Sequence, residues 1–175
     1  MRNIPKPQAG EYPPYAIMYI DLVPDDGQVL QHMQDNLATM RQMFASLPEE
    51  KLTQRFAEGE WTIKEILVHI TDDERIYSYR ALRFARGDST ELPGFEPDPY
   101  AEQSRANERS ITDILDEHHA VRLATIALFN TFTDDMLTRT GVASEHRVSV
   151  RALAHHIAGH ELHHLNSIRE NYLSS

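Results

Sequence analysis

The stretch His155–His164 (HHIAGHELHH) near the C-terminus carries five of the chain's ten histidines, and it constrains the fold more than any other feature. Residues four apart on an α-helix stack ~6 Å along the axis, so His156, His160 and His164 form one stripe. An imidazole nitrogen binds a metal ion at ~2.0–2.1 Å, and the ends of the stripe lie ~12 Å apart. One ion can therefore take only an adjacent pair and must find its other ligands on another element. Helical periodicity selects the pair. Val150, Ile157 and His164 share one heptad core position, and Leu153 and His160 share the other. His160 and His164 thus hold seats that Leu or Ile would fill, His156 and His163 flank the seam, and His155 lies further round. Buried imidazoles without partners cost several kcal/mol. A bound metal removes that cost; core hydrogen bonds to carboxylates or carbonyls are the alternative.

The rest of the chain supplies helices to face this one. Residues 1–24 contain Pro5, Pro7, Pro13, Pro14 and Pro24 and read as an extended arm, with Tyr12, Tyr15 and Tyr19 available to pack over the body. After Asp25 and Asp26, good N-cap residues, Val29, Leu30, Met33, Leu37, Met40 and Phe44 mark a first helix over about 26–46. Thr62 with Glu65 forms a capping box that opens a second helix over 62–86, ended by Gly87. Its stripe is Ile63, Ile66, Ile70, Tyr77 and Phe84. Residues 87–100, rich in Gly and Pro, read as an irregular crossover. Ser110 with Asp113, a second capping box, starts a third helix to about 131, with Ile111, Leu115, Val121/Arg122, Thr125 and Leu128 inward. Ser149 caps the histidine helix, 149–173. No β-alternation stands out. The expected fold is all-α: a four-helix bundle with a long crossover between the second and third helices and an extended N-terminal arm. At 175 residues the chain is one domain's worth.

A metal site needs a third protein ligand. His69 lies beside the second helix's buried stripe, one turn before Asp73, so both lean toward a facing helix. His69, His160 and His164 would give three neutral nitrogens with positions left open, the pattern of a catalytic rather than a closed structural site. Asp73 is a candidate fourth ligand, an acceptor for an imidazole N–H, or a surface acid. His160–His164 also matches H-E-x-x-H, the zinc-protease motif with Glu as general base. The metzincin continuation fails, because Ser167 and Glu170 stand where Gly and the third ligand belong. Glu170 stays on the helix, ~15 Å along the axis from His160. His32, His118, His119 and His146 read as solvated or structural, and Glu74, Arg75, Arg80, Arg83 and Arg86 as a solvated ion-paired face. Of these, only Arg80 comes near the buried seam, where it could meet an anion.

Composition closes off other classes. Cysteine is absent, which excludes disulfides, thiolate zinc sites and a cysteine nucleophile; any thiol chemistry must use a thiol brought by a substrate. The net charge of −10 and the lack of a basic stripe argue against nucleic acid. No apolar run approaches the ~18 residues of a membrane span. The N-terminal stretch has no apolar signal core, so the expected compartment is the cytoplasm.

Trp61-Thr-Ile-Lys-Glu-Ile-Leu-Val-His69, Asp73-Glu74-Arg75, Tyr79-Arg80-Ala-Leu-Arg83 and Arg86-Gly-Asp88, followed by Ser149-Val-Arg-Ala-Leu and Gly159-His-Glu-Leu-His-His164, resemble the second and last helices of DinB-like (YfiT-like) proteins. Leu92-Pro-Gly-Phe and Arg122-Leu-Ala-Thr are similar too, so the resemblance spans about residues 12–173. It implies a four-helix bundle, a homodimer, and a divalent zinc, nickel or iron ion on His69, His160 and His164. It also implies, from some members, transfer of a low-molecular-weight thiol (bacillithiol, mycothiol or glutathione), from one branch isomerisation of maleylpyruvate with mycothiol, and from many others metal-dependent hydrolysis. The leading expectation is an enzyme that passes a small thiol to an electrophilic small-molecule substrate, since a divalent ion deprotonates a coordinated thiol. The close variant is hydrolysis, with Glu161, His163 or Asp73 as base. A non-catalytic metal-binding bundle and a metal-free helical module are the alternatives.

Overall fold

The computed structural model describes residues 1–173. A 3₁₀ turn (Pro14–Ala16) leads into α1 (Ile17–Ile20), followed by α2 (Val29–Phe44), α3 (Glu49–Thr53), α4 (Ile63–Ala85) and α5 (Pro97–Gln103). A second 3₁₀ turn (Ala106–Glu108) precedes α6 (Ile111–Asn130) and α7 (Asp134–Thr138). A hairpin of β1 (Thr140–Ala143) and β2 (His146–Ser149) comes next, then α8 (Val150–Ile168) and a π-type turn (Arg169–Leu173). The long helices α2, α4, α6 and α8 make the bundle, and α5 lies in the crossover between α4 and α6.

The helix starts follow from local chemistry. Thr62 Oγ1 accepts from Glu65 N (3.1 Å) and Glu65 Oε2 accepts from Thr62 N (2.8 Å), a complete capping box. At Ser110 only half of the expected box forms. Ser110 Oγ accepts from Asp113 N (3.1 Å), while the Asp113 carboxylate accepts from Arg109 Nε (2.7 Å). Ser149 Oγ accepts from Ala152 N (3.1 Å). The first helix begins later than its acidic pair suggests, because Asp26 spends its carboxylate on Gln28 N and His32.

Three expectations are corrected. The arm is not extended throughout: residues 14–20 coil into helical turns against α8, and Ile4 is fully enclosed. The loop before α8 folds into a hairpin with Ala143 opposite His146. Its turn residues Ser144 and Glu145 both have left-handed φ, 52° and 66°, so it lacks the Asn-Gly signature of such turns. Leu92 of the crossover bonds beside this hairpin, donating to the Val142 carbonyl and accepting from Ser144 N (both 3.0 Å). Last, Glu74 and Arg80 are not on a solvated face; both are buried.

The core comes in two apolar halves. One gathers Met33, Phe84, Phe129 and Leu153, the other Phe44, Leu67, Leu115 and Ile168. A polar layer crosses the bundle between them, with Asn36 on α2, Thr71, Asp73 and Glu74 on α4, His118 and Arg122 on α6, and His160 and Glu161 on α8. Fully buried Arg122 holds it together. Its Nε and Nη2 donate to Glu74 (2.9–3.1 Å), and Nη1 donates to Glu161 Oε2 (2.9 Å) and the Met33 carbonyl (2.8 Å). Neighbouring residues on a helix point ~100° apart, so the positions beside Glu74 and Glu161, Asp73 and His160, face elsewhere.

Candidate metal centre

His69 on α4 meets His160 and His164 on α8. The Nε2 atoms of His69 and His164 lie 3.1 and 3.0 Å from His160 Nε2, and the three side chains bring their ligand atoms within 4.8 Å of one another. Ligands held tetrahedrally at ~2.0–2.1 Å from an ion stand about 3.3 Å apart, so the spacing fits a divalent cation closely. The donor chemistry fits as well. A neutral imidazole nitrogen offers one lone pair or one N–H. His160 Nε2 therefore cannot satisfy both neighbours with a proton, whereas one cation satisfies all three.

The opposite edge of the His160 ring turns to Asp73. Asp73 Oδ2 lies 3.4 Å from His160 Nδ1 and 3.5 Å from His156 Nε2, and it is fully enclosed. Burial works to raise this carboxyl, but His160 and His156 beside it hold it at about 2. Burial lowers the three imidazoles: His69 downward, His160 to about 3, and His164, with His160 and His69 as neighbours, to about 2. Near neutrality the arrangement is an ionised Asp73 facing neutral imidazoles, the protonation state that metal ligation needs.

These shifts make acid stability predictable. Histidine titrates near 6.5 in an unfolded chain, whereas burial takes His155 to about 4 and the others as given above. Stability is therefore full above about pH 6.5 and is lost as pH falls toward the folded values, by up to ~1.4 kcal/mol per pH unit per histidine. Urea midpoints of the metal-free protein should drop steeply between about pH 7 and about pH 5; a flat profile would contradict the burial of neutral imidazoles.

Aromatic rings wall the site. Trp61 lies 4.7 Å from His69 between centroids, Tyr77 stacks on His156 at 3.9 Å, and Tyr19 of α1 sets its edge against His156, His160 and His163 at 5.0–5.4 Å. Together with Tyr15, Phe95 and Arg80 they line an open cleft of about 470 Å³ onto which His69, His160 and His164 open.

The three candidate bases part company. Glu161 follows His160 in sequence but is fully buried on the other side of α8, accepting from Arg122 and from Asn36 Nδ2 (3.2 Å), with His118 Nε2 3.4 Å away. It cannot reach the cleft, so the reading of it as a general base is corrected. Asp73 stands behind His160 rather than on the surface. His163 is half-buried, 5.3 Å from His164 between ring centroids, and lines the neighbouring pocket with Trp61 and His164 rather than the cleft itself. Sequence periodicity missed the roles of His156, Trp61 and Tyr19, and left His118 as solvated or structural without its partner. The available signal was a set of polar residues at core spacing.

Three comparisons bear on this geometry. The Putative metal-dependent hydrolase OB0413 of Oceanobacillus iheyensis is 29% identical over 129 residues, covering 71% of this chain and 72% of the relative. YfiT from Bacillus subtilis, whose structure is described as an unusual four-helix bundle, superposes with a TM-score of 0.74 at 16% identity, over 83% of this chain and 85% of that one. The mycothiol-dependent maleylpyruvate isomerase gives 0.63 at 10% identity, over 83% of this chain but 61% of that longer protein. The two structural likenesses establish the shared bundle. Residues 32–168 match the DinB_2 profile of the DinB superfamily, and the chain belongs to that superfamily.

Proposed function

We propose that His69, His160 and His164 hold one divalent cation at the floor of the cleft, and that the protein is a metal-dependent enzyme transferring a small thiol to an electrophilic substrate. The observation that carries this is the convergence of three neutral ring nitrogens on one point, with Asp73 Oδ2 3.4 Å from the outer edge of His160. The relative from Oceanobacillus iheyensis, named for metal dependence, and the thiol-dependent isomerase sharing the fold support it. Bound there, zinc, nickel or iron would lower the pKa of a thiol or a water brought to its open positions.

The chain's own residues fill the remaining roles. Asp73 Oδ2, 3.4 Å from His160 Nδ1 and without a hydrogen-bond partner among the described residues, favours the tautomer with the proton on Nδ1 and so leaves the Nε2 lone pair for the cation. Trp61 packs on His69 and Tyr19 on His160, and they narrow the open approach to the ligands. Asp73 Oδ2 is fully enclosed behind the His160 ring, so Asp73 is placed to hold that ring rather than to take a proton from a substrate. Glu161 is out of reach, and His163, beside His164 in the neighbouring pocket, is the one candidate left of the three. That scarcity favours a thiol, already acidic at a pKa of about 8.5, over water. Hydrolysis is the second reading, and it would depend on His163.

The test begins with metal content. Tag-free protein should carry about one divalent ion per chain, lost in His69→Ala and in His160→Ala. No uptake by the wild type after incubation with zinc or nickel would end the proposal. Turnover of an electrophile only with added thiol, unchanged in His163→Ala, supports transfer. Thiol-independent turnover that collapses in His163→Ala would establish hydrolysis instead.

A further inference from the structure

Three cationic side chains are buried among the described residues: Lys64, Arg80 and Arg122. Lys64 pairs with Glu49, and Arg122 with Glu74 and Glu161. Arg80, 4% exposed, pairs with no carboxylate among the described residues. Its Nη2 donates to the Pro93 carbonyl and to Ser144 Oγ, both at 3.0 Å. Nε and Nη1 donate to no described protein atom and are not sealed off; Arg80 lines the cleft shared with His69, His160 and His164, and also the small pocket beside Tyr12 and His146. A desolvated cation without a counter-charge is costly, and an anion arriving in the cleft would relieve it.

The surroundings are built to hold that guanidinium. Ser144 sits at φ 52° in a turn where a non-glycine residue is strained, and there its hydroxyl meets Arg80. The guanidinium carbon lies 4.9 Å over the Tyr77 ring, so the side chain leans back along α4 toward His69. His69 and Arg80 are ~16 Å apart along the helix by rise per residue, and both side chains lean the same way, so the charge stands well removed from the imidazole trio. Among the described residues, Arg80 is the only Lys or Arg lining this cleft, and Asp73 its only acid. A single guanidinium with two free N–H groups matches a carboxylate, which it binds as a fork.

We propose that Arg80, oriented by Ser144, is the anion-binding end of the substrate cleft, and that the molecule processed there carries a carboxylate at the end remote from its reacting atom. This deepens the metal-centre reading by naming the substrate class, and it rests on the same cleft being the substrate site.

The test is a titration of metal-free protein with octanoate and with neutral octanamide, followed by calorimetry and by fluorescence of Trp61, the sole tryptophan. Wild type should prefer octanoate by about tenfold or more. Arg80→Gln should erase the preference while leaving octanamide affinity unchanged, Arg80→Lys should restore part of it, and Ser144→Ala should weaken it a few-fold. No preference in the wild type, or a preference that survives in Arg80→Gln, overturns the proposal. If Arg80→Gln fails to fold by circular dichroism, the wild type and Ser144→Ala still decide. In a zinc-loaded arm, octanoate bearing a terminal thiol should bind more tightly than octanoate. If the thiol adds nothing while the octanoate preference holds, the metal reading fails and the anion site stands.

Discussion

Arg122→Met is expected to remove at least ~3–5 kcal/mol of folding stability, a large part of the 5–15 kcal/mol typical of a domain. Methionine nearly fills the space, so the loss is electrostatic. Glu74 and Glu161 are both buried and both face the guanidinium; without it they become two enclosed carboxylates with no counter-charge. The pH dependence reverses and gives a second readout. In the wild type, burial works to raise Glu161 but Arg122 holds it at about 2, so its contribution is present above the unfolded value of about 4.3 and is lost as pH falls. In Arg122→Met the folded carboxyls rise above that value, and the penalty is relieved as pH falls through the raised pKa. Urea titrations should show a deficit that shrinks from about pH 8 to about pH 5. Adding Glu74→Leu and Glu161→Leu should recover most of the loss, since an apolar cluster often equals a buried ion cluster. A cost below ~1 kcal/mol, independent of pH, would show that Arg122 is not the counter-charge of the polar layer.

That layer also shows what sequence could and could not convey. The four long helices were legible because each carries a 3.6-residue apolar stripe and, in three cases, a Ser or Thr cap that bonds as expected. His69, His160 and His164 were legible because two of them replace aliphatic residues on a seam and the third sits one turn before an acid on a facing helix. Arg122 appeared on its helix's stripe, but periodicity gives no partner across 39 or 48 residues of chain, so Glu161 and Glu74 looked available for solvent or catalysis. Glu161 was misread for the same reason that His160 was read well. Adjacent positions on α8 face different neighbours, and only packing says which face opens on the cleft. The hairpin was illegible because Ser144-Glu145 is poor turn chemistry. It is held by Leu92 and Arg80, both distant in sequence. Tyr19 was recognised as able to pack over the body, but nothing local announced that a single turn of helix would set it against three histidines.

The position of that turn depends on one glycine. Alanine at position 159 would by intrinsic propensity stabilise the helix by ~0.8–1.0 kcal/mol over glycine. The added Cβ, however, would stand 2.0 Å from the Tyr19 carbonyl oxygen and 2.5 Å from its carbon. Both are backbone atoms and cannot rotate away, so α1 must lift by more than ~1 Å to restore ordinary contact. Gly159→Ala is therefore expected to destabilise by ~1–3 kcal/mol, the cost of overpacking outweighing the helical gain. Because Tyr19 rides on α1 with its ring edge against His156, His160 and His163, the same shift uncovers the candidate metal centre. Limited proteolysis should cut the arm between residues 14 and 28 faster in the variant, and a chelator should strip zinc from it sooner. Tyr19→Ala separates the two effects: it leaves the α1–α8 backbone contact in place while removing the ring, so it should speed chelation without exposing the arm. A Gly159→Ala protein with a raised melting temperature and wild-type chelation kinetics would mean that α1 neither presses on α8 nor guards the histidines beneath it.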